Sequence, residues 1–155
     1  MSLESVREAA AERVGADAGY AGDVTPEEAW HLLKEDPAAV LVDVRTQPEW
    51  AFVGIPDLSE AGKQPVLVSW QMFPAMNVNP NFAAELATRG VTADRSVIFI
   101  CRSGNRSADA ARAMTAKGFT RCFNLAEGFE GSLDGERHRG TAGGWKAKGL
   151  PWVQG

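Results

Sequence analysis

An α/β fold built on a mostly parallel sheet follows from three features of the sequence. Helix-like and strand-like segments alternate along its 155 residues, a length that suits one ordinary domain. Residues 40–44, Val-Leu-Val-Asp-Val, form a short apolar run rich in β-branched side chains, the mark of a buried strand. Residues 97–100 lead into a polar loop, a helix and another strand, an order that implies a right-handed crossover between parallel strands.

Residues 4–14 have weak helical amphipathicity, and residues 1–18 are expected to form an N-terminal helical extension to a single domain over 19–155. Thr25-Pro26-Glu27-Glu28 starts the next helix: Thr25 caps, Pro26 suits the first turn and Glu28 closes a capping box. Trp30, Leu32 and Leu33 give it an apolar side, and Pro37 stops it. After the strand at 40–44, Thr46-Gln47-Pro48-Glu49 reads as a second capped helical turn. Residues 66–69 are a short strand, and residues 81–89 a helix closed by Gly90. The clearest strand, 97–100, runs into Cys101-Arg102-Ser103-Gly104-Asn105-Arg106-Ser107. A helix over 108–117, ended by Gly118, and a strand over 121–125 follow. The tail from Gly128 is rich in glycine and charge, with Trp145 and Trp152 as its anchors.

Bulk properties narrow the function. The net charge of −4 offers no basic excess to neutralise phosphates, so no nucleic-acid partner is expected. No run approaches the roughly 20 apolar residues of a membrane helix, and the start lacks a signal-like pattern. A soluble, cytoplasmic protein is expected. Cys101 and Cys122 are too far apart in sequence for a C-x-x-C pair, and His31 and His138 are isolated, so neither a disulfide framework nor a metal site is expected.

The loop at Cys101 carries the chemistry. A thiol must lose its proton to attack, and three features favour the thiolate. The cysteine precedes a helix, and so faces the positive end of its dipole. The N–H groups of residues 102–107 can turn inward around an anion. Arg102 and Arg106 add two positive charges with no acid between them. Gly104 permits the tight turn, Ser103 and Asn105 offer short polar donors, and Ser107 either joins them or caps the helix. Singly, each residue is an ordinary choice: a cysteine ending a buried strand is often a small apolar filler. The run as a whole points to a reactive site.

At this loop the chain resembles the rhodanese (thiosulfate sulfurtransferase) family, whose nucleophile stands in a six-residue loop between a parallel strand and a helix. Cys101 to Arg106 is similar to that loop. Asp43-Val44-Arg45 with Glu49-Trp50, then Gly54-Ile55-Pro56, resemble the family's early blocks; Glu127-Gly128-Phe129, Trp145 and Gly149-Leu150-Pro151-Trp152 resemble its closing segment. The chain departs from the pattern in having no histidine before Ile55, a longer connection over 70–80 and an added stretch over 130–144.

The resemblance implies a three-layer fold with a five-stranded sheet flanked by helices. It implies that Cys101 takes a sulfane sulfur from a small anionic donor such as thiosulfate and passes the persulfide sulfur to a thiol, to cyanide or to a partner protein. Arg102, Ser103, Gly104, Asn105, Arg106 and Ser107 would hold the donor, with no cofactor beyond the sulfur itself. Asp43, Arg45 and Glu49 have supporting roles, with Arg45 able to pair with Glu49 beneath the site. Cys122 is a resolving thiol or, more simply, an inert core residue; Trp70 lines the pocket or packs; His138 covers the mouth or lies in a solvated loop. Two other classes compete. A Cys-dependent phosphatase or arsenate reductase needs five residues between cysteine and arginine, whereas four separate Cys101 from Arg106. A non-catalytic or sulfur-carrier module on the same fold is the other.

Overall fold

The computed structural model describes residues 1–154. In chain order the helices are α1 (Leu3–Val14), α2 (Pro26–Glu35), α3 (Gln47–Phe52), α4 (Phe82–Thr88), α5 (Asn105–Ala116) and α6 (Gly144–Ala147). The strands are β1 (Gly22–Val24), β2 (Val40–Asp43), β3 (Ile55–Pro56), β4 (Val66–Leu67), β5 (Gln71–Met72), β6 (Asn77–Val78), β7 (Val97–Ile100), β8 (Cys122–Leu125) and β9 (Trp152–Val153). Five of them form the central sheet, ordered β1-β8-β7-β2-β4, with every pairing parallel. The pairs β3–β9 and β5–β6 are small antiparallel ribbons.

Strand periodicity divides the interior in two. Successive side chains point to opposite faces. Leu41, Ile98, Ile100, Phe123 and Leu125 therefore face α1 and α2, where they join Val6, Ala10, Ala29, Leu32, Leu33 and Trp145. Val40, Val42, Val97, Phe99 and Cys122 face α4 and α5, where they meet Phe82, Leu86, Ala110, Ala111 and Met114. These half-cores make the three layers, and β7 and β2, buried on both faces, read as unbroken apolar runs for that reason.

The caps read from sequence are present. Thr25 Oγ1 accepts from the Glu28 N–H while Glu28 accepts from that of Thr25; at Thr46 both the backbone N–H and the hydroxyl donate to Glu49 Oε1. Other boundaries moved. Helix α5 begins at Asn105, three residues before the expected 108, because Gly104 turns the chain at φ +105° and the polar residues after it are already helical. Ser107 thus lies within the first turn and does not cap the helix. The strand expected over 66–69 pairs only over Val66–Leu67, and β1, three residues long, carried too short a pattern to be seen. Helix α1 lies on β1, close enough that a Cβ on Gly22 would stand 2.3 Å from the carbonyl carbon of Ala10. Among the described residues no helix is long and apolar enough to cross a membrane.

Candidate active site

Cys101 immediately follows the central strand β7, at the carboxyl end of the sheet, where open α/β folds bind ligands. The loop after it is held from behind. The Phe129 N–H donates to the Cys101 carbonyl at 2.8 Å, and those of Glu130 and Gly131 to the Arg102 carbonyl at 3.0 and 3.2 Å. The segment after β8, including the start of the added stretch, therefore braces the loop. Two glycines make the fit possible. A Cβ on Gly104 would fall 2.1 Å from the Ala126 carbonyl oxygen, and one on Gly128 would fall 2.4 Å from that of Arg102.

Around the sulfur, the Gly104 N–H donates to Sγ at 3.1 Å, and Ser107 Oγ lies 3.1 Å from Sγ on its other side. The N–H groups of Asn105, Arg106 and Ser107 open helix α5 and have no intrahelical carbonyl. The residue is 1 % exposed, yet with Arg102, Ser103, Asn105 and Arg106 it lines a cavity of about 330 Å³. Glu49 closes one side and Gln71 and Met76, from the ribbon β5–β6, another. The longer connection over 70–80 is thus a wall of the site, a role the sequence did not reveal because nothing local ties its register to Cys101.

The supporting residues are wired differently from the Arg45–Glu49 pairing expected. Arg45 turns back on Asp43, donating from Nε at 2.9 Å and from Nη2 at 2.7 Å, and Nη2 also reaches the Gly54 carbonyl at 2.7 Å. Both side chains are fully buried, and the guanidinium lies 4.3 Å from the centre of the Phe129 ring. Glu49 instead receives both nitrogens of Arg106, at 2.7 and 2.9 Å. Asp43 and Arg45 are two apart at a strand end and can form a fork, whereas α3 carries Glu49 across to α5.

The pair sets the charge of the site's rim. Burial alone would push the Glu49 carboxyl up, but the hydrogen bonds and charge of Arg106, helped by Thr46, bring it down to about 2. Burial works against the Arg106 charge, and Glu49 more than restores it. A carboxyl lowered by folding contributes stability above its unfolded value, near 4.5, and loses it as pH falls towards 2. Glu49→Gln should therefore cost up to about 3 kcal/mol at pH 7, with the gap from the parent closing between pH 4.5 and 2. Urea midpoints at pH 7 and pH 3 check this; an equal gap at both would refute it.

The remaining candidates lie apart from the sulfur. Cys122 pairs with Val97 at the far end of β7, four positions before Cys101, which places it about 13 Å along the strand. No disulfide spans that distance, and burial pushes the Cys122 thiol up to about 11. Trp70 packs edge-on against Phe82, 5.1 Å between ring centres. The His138 side chain is exposed, in a turn whose backbone bonds to Asp134. Among the described residues no cluster of three His, Cys, Asp or Glu side chains could hold a metal ion. Asn124 on β8 joins the site through Ser107, a role with no local signal in the sequence because a lone asparagine in an apolar strand declares no partner.

Comparison with known proteins agrees with this architecture. A family model described as a rhodanese-like domain matches residues 25–133. The uncharacterized protein RP600 of Rickettsia prowazekii is 37% identical over 125 residues, covering 80% of this chain and 90% of its own. The crystal structure of Rv0390 from M. tuberculosis superposes with a TM-score of 0.80 at 52% identity, over 88% of this chain and 99% of that one. The polysulfide-sulfur transferase homodimer of Wolinella succinogenes shares the fold, at TM-score 0.58 and 22% identity over 98% and 86% of the two chains.

Proposed function

The chain belongs to the rhodanese-like domain family, and from that premise we propose that it is a sulfurtransferase working through a persulfide on Cys101. The observation that carries the reading is Sγ at the floor of a small polar cavity, with the Gly104 N–H and the Ser107 hydroxyl beside it. In the first step the thiolate attacks the outer sulfur of thiosulfate. The S–S bond of the donor breaks, sulfite leaves with the electron pair, and Cys101 holds a persulfide anion. In the second step a thiolate or cyanide attacks the terminal sulfur; the Cys101–sulfur bond breaks and its electron pair returns to Cys101 as thiolate. The open N–H groups at the start of α5 and Arg102 would stabilise the incoming donor and the persulfide. Arg106, clamped by Glu49, holds its charge at the rim. That clamp also weighs against a phosphatase, which needs its loop arginine free to fork onto a phosphate.

The acceptor can be a protein thiol. Phe52, Met72 and Phe73 are exposed on α3 and the ribbon β5–β6, the same elements that wall the cavity, and they offer an apolar landing surface beside it. This favours a carrier role as the second reading.

The test is the intact mass of the reduced protein after thiosulfate: one added sulfur, removed by cyanide. No gain, with the thiol shown free, would sink thiosulfate as donor. Gly104→Ala tests the cradle separately. Its Cβ collides with the Ala126 carbonyl, so the loop must shift, and sulfur uptake should slow about a hundredfold. Uptake at the parent rate would show that the Gly104 turn does not matter.

A further inference from the structure

Ser107 has one proton and two neighbours that want it. Its Oγ donates to Asn124 Oδ1 at 2.5 Å and lies 3.1 Å from Cys101 Sγ. Asn124 Nδ2 donates in turn to Asp23 Oδ1 at 3.2 Å, and the Tyr20 hydroxyl donates to the same oxygen at 2.6 Å. Asp23 and Asn124 are direct partners across β1 and β8, so their side chains leave the same face of the sheet. Burial, followed by the bond to Asp23, pushes the Tyr20 phenol up to about 12, so it remains a donor.

A carboxylate only accepts. Asp23 therefore compels Asn124 to present its NH₂ to β1 and its carbonyl oxygen to Ser107. That oxygen, on a residue 3% exposed, claims the Ser107 proton. Ser107 is then left able to accept from a Cys101 S–H but not to donate to a thiolate. The Asp23–Asn124 pair favours the states in which Sγ is uncharged, the thiol and the sulfur-loaded form, over the bare thiolate. We infer that Asp23 and Asn124 are positioning residues that withhold the Ser107 proton from the Cys101 thiolate and so set how readily the empty enzyme attacks its donor. The inference rests on Cys101 being the sulfur carrier, but its test does not.

The other charges near the sulfur are Arg102 and Arg106 on its own loop and helix, Asp43 with Arg45 at the end of β2, and Glu49 on α3; the segment packed behind the loop carries Glu127 and Glu130, and the ribbon β5–β6 brings the neutral Gln71 and Met76. None of these is altered by Asp23→Asn, a nearly isosteric change that lets both amides flip, with the Tyr20 hydroxyl turning to accept from the new NH₂. Asn124 Nδ2 then donates to Ser107, and the Ser107 proton turns to sulfur. Alkylation of Cys101 by iodoacetamide at pH 7 should quicken about two- to tenfold, the worth of one hydrogen bond, and the midpoint of its pH profile should fall. Loss of a negative charge alone would give the same gain in a Ser107→Ala background, whereas the relay predicts none there. An unchanged rate in Asp23→Asn, or an equal gain with and without Ser107, would overturn the inference. Because alkylation needs no sulfur donor, the result stands whether or not thiosulfate loads the protein.

Discussion

Cys101→Ala should take up no sulfur from thiosulfate, and cyanide-dependent turnover should fall at least about a thousandfold. Without the thiolate no covalent path is available, because no other group in the cavity can replace it. Ser103 is a neutral hydroxyl with no histidine to activate it, and Cys122 is buried at the opposite end of the sheet, its thiol pushed up to about 11. The structure makes the change a clean one. Cys101 is followed by a loop held by backbone bonds from residues 129–131, so truncating the side chain should leave the loop in place. Cys122→Ala, by contrast, should keep full uptake. Uptake lost in Cys122→Ala but kept in Cys101→Ala would move the chemistry to the wrong cysteine and overturn the reading.

The second large effect is on folding. Asp43→Ala should destabilise the protein by about 3–5 kcal/mol, because it leaves the Arg45 guanidinium uncompensated in an apolar interior. Arg45 is fully buried, its Nη1 already lacks a partner, and after the change only the Gly54 carbonyl and the Phe129 ring would face it. Replacing both partners by apolar residues of similar volume, Asp43→Leu with Arg45→Met, should cost less than Asp43→Ala alone, since no buried charge is then left over. Urea denaturation of the parent and the two variants decides the matter. A single variant within about 1 kcal/mol of the parent would show that water reaches the guanidinium more easily than its burial implies. The pair stands at the end of β2, and Asp43 is in register with Ile100, the residue before Cys101. Loosening it should disturb the site as well as the fold.

Much of this was open to sequence reasoning because it is local. The α/β class came from segments whose period and length declare them, the three layers from the family resemblance, and residues 97–107 told of a strand running into a tight polar loop within eleven positions. The capping box at Thr25 and the bonds from Thr46 to Glu49 are also local, each made within three residues. The resemblance of the early and closing blocks fitted the family that the match over residues 25–133 shows.

What the sequence could not decide was which distant groups meet. Along the chain the nearest basic partner for Glu49 is Arg45, four positions away. The fold instead gave Arg45 to Asp43 and brought Arg106 to Glu49 from 57 residues away. Likewise, Gln71 and Met76 became a cavity wall, Phe129 to Gly131 became the back of the loop, and Asn124 with Asp23, 101 residues apart, became the surroundings of Ser107. The cysteine and its loop were determined by the chain itself, since backbone turn, dipole and donors lie within one crossover. The partners of its charges and protons were decided only by the tertiary structure, because a carboxylate or an amide bonds whatever the packing of the sheet sets beside it.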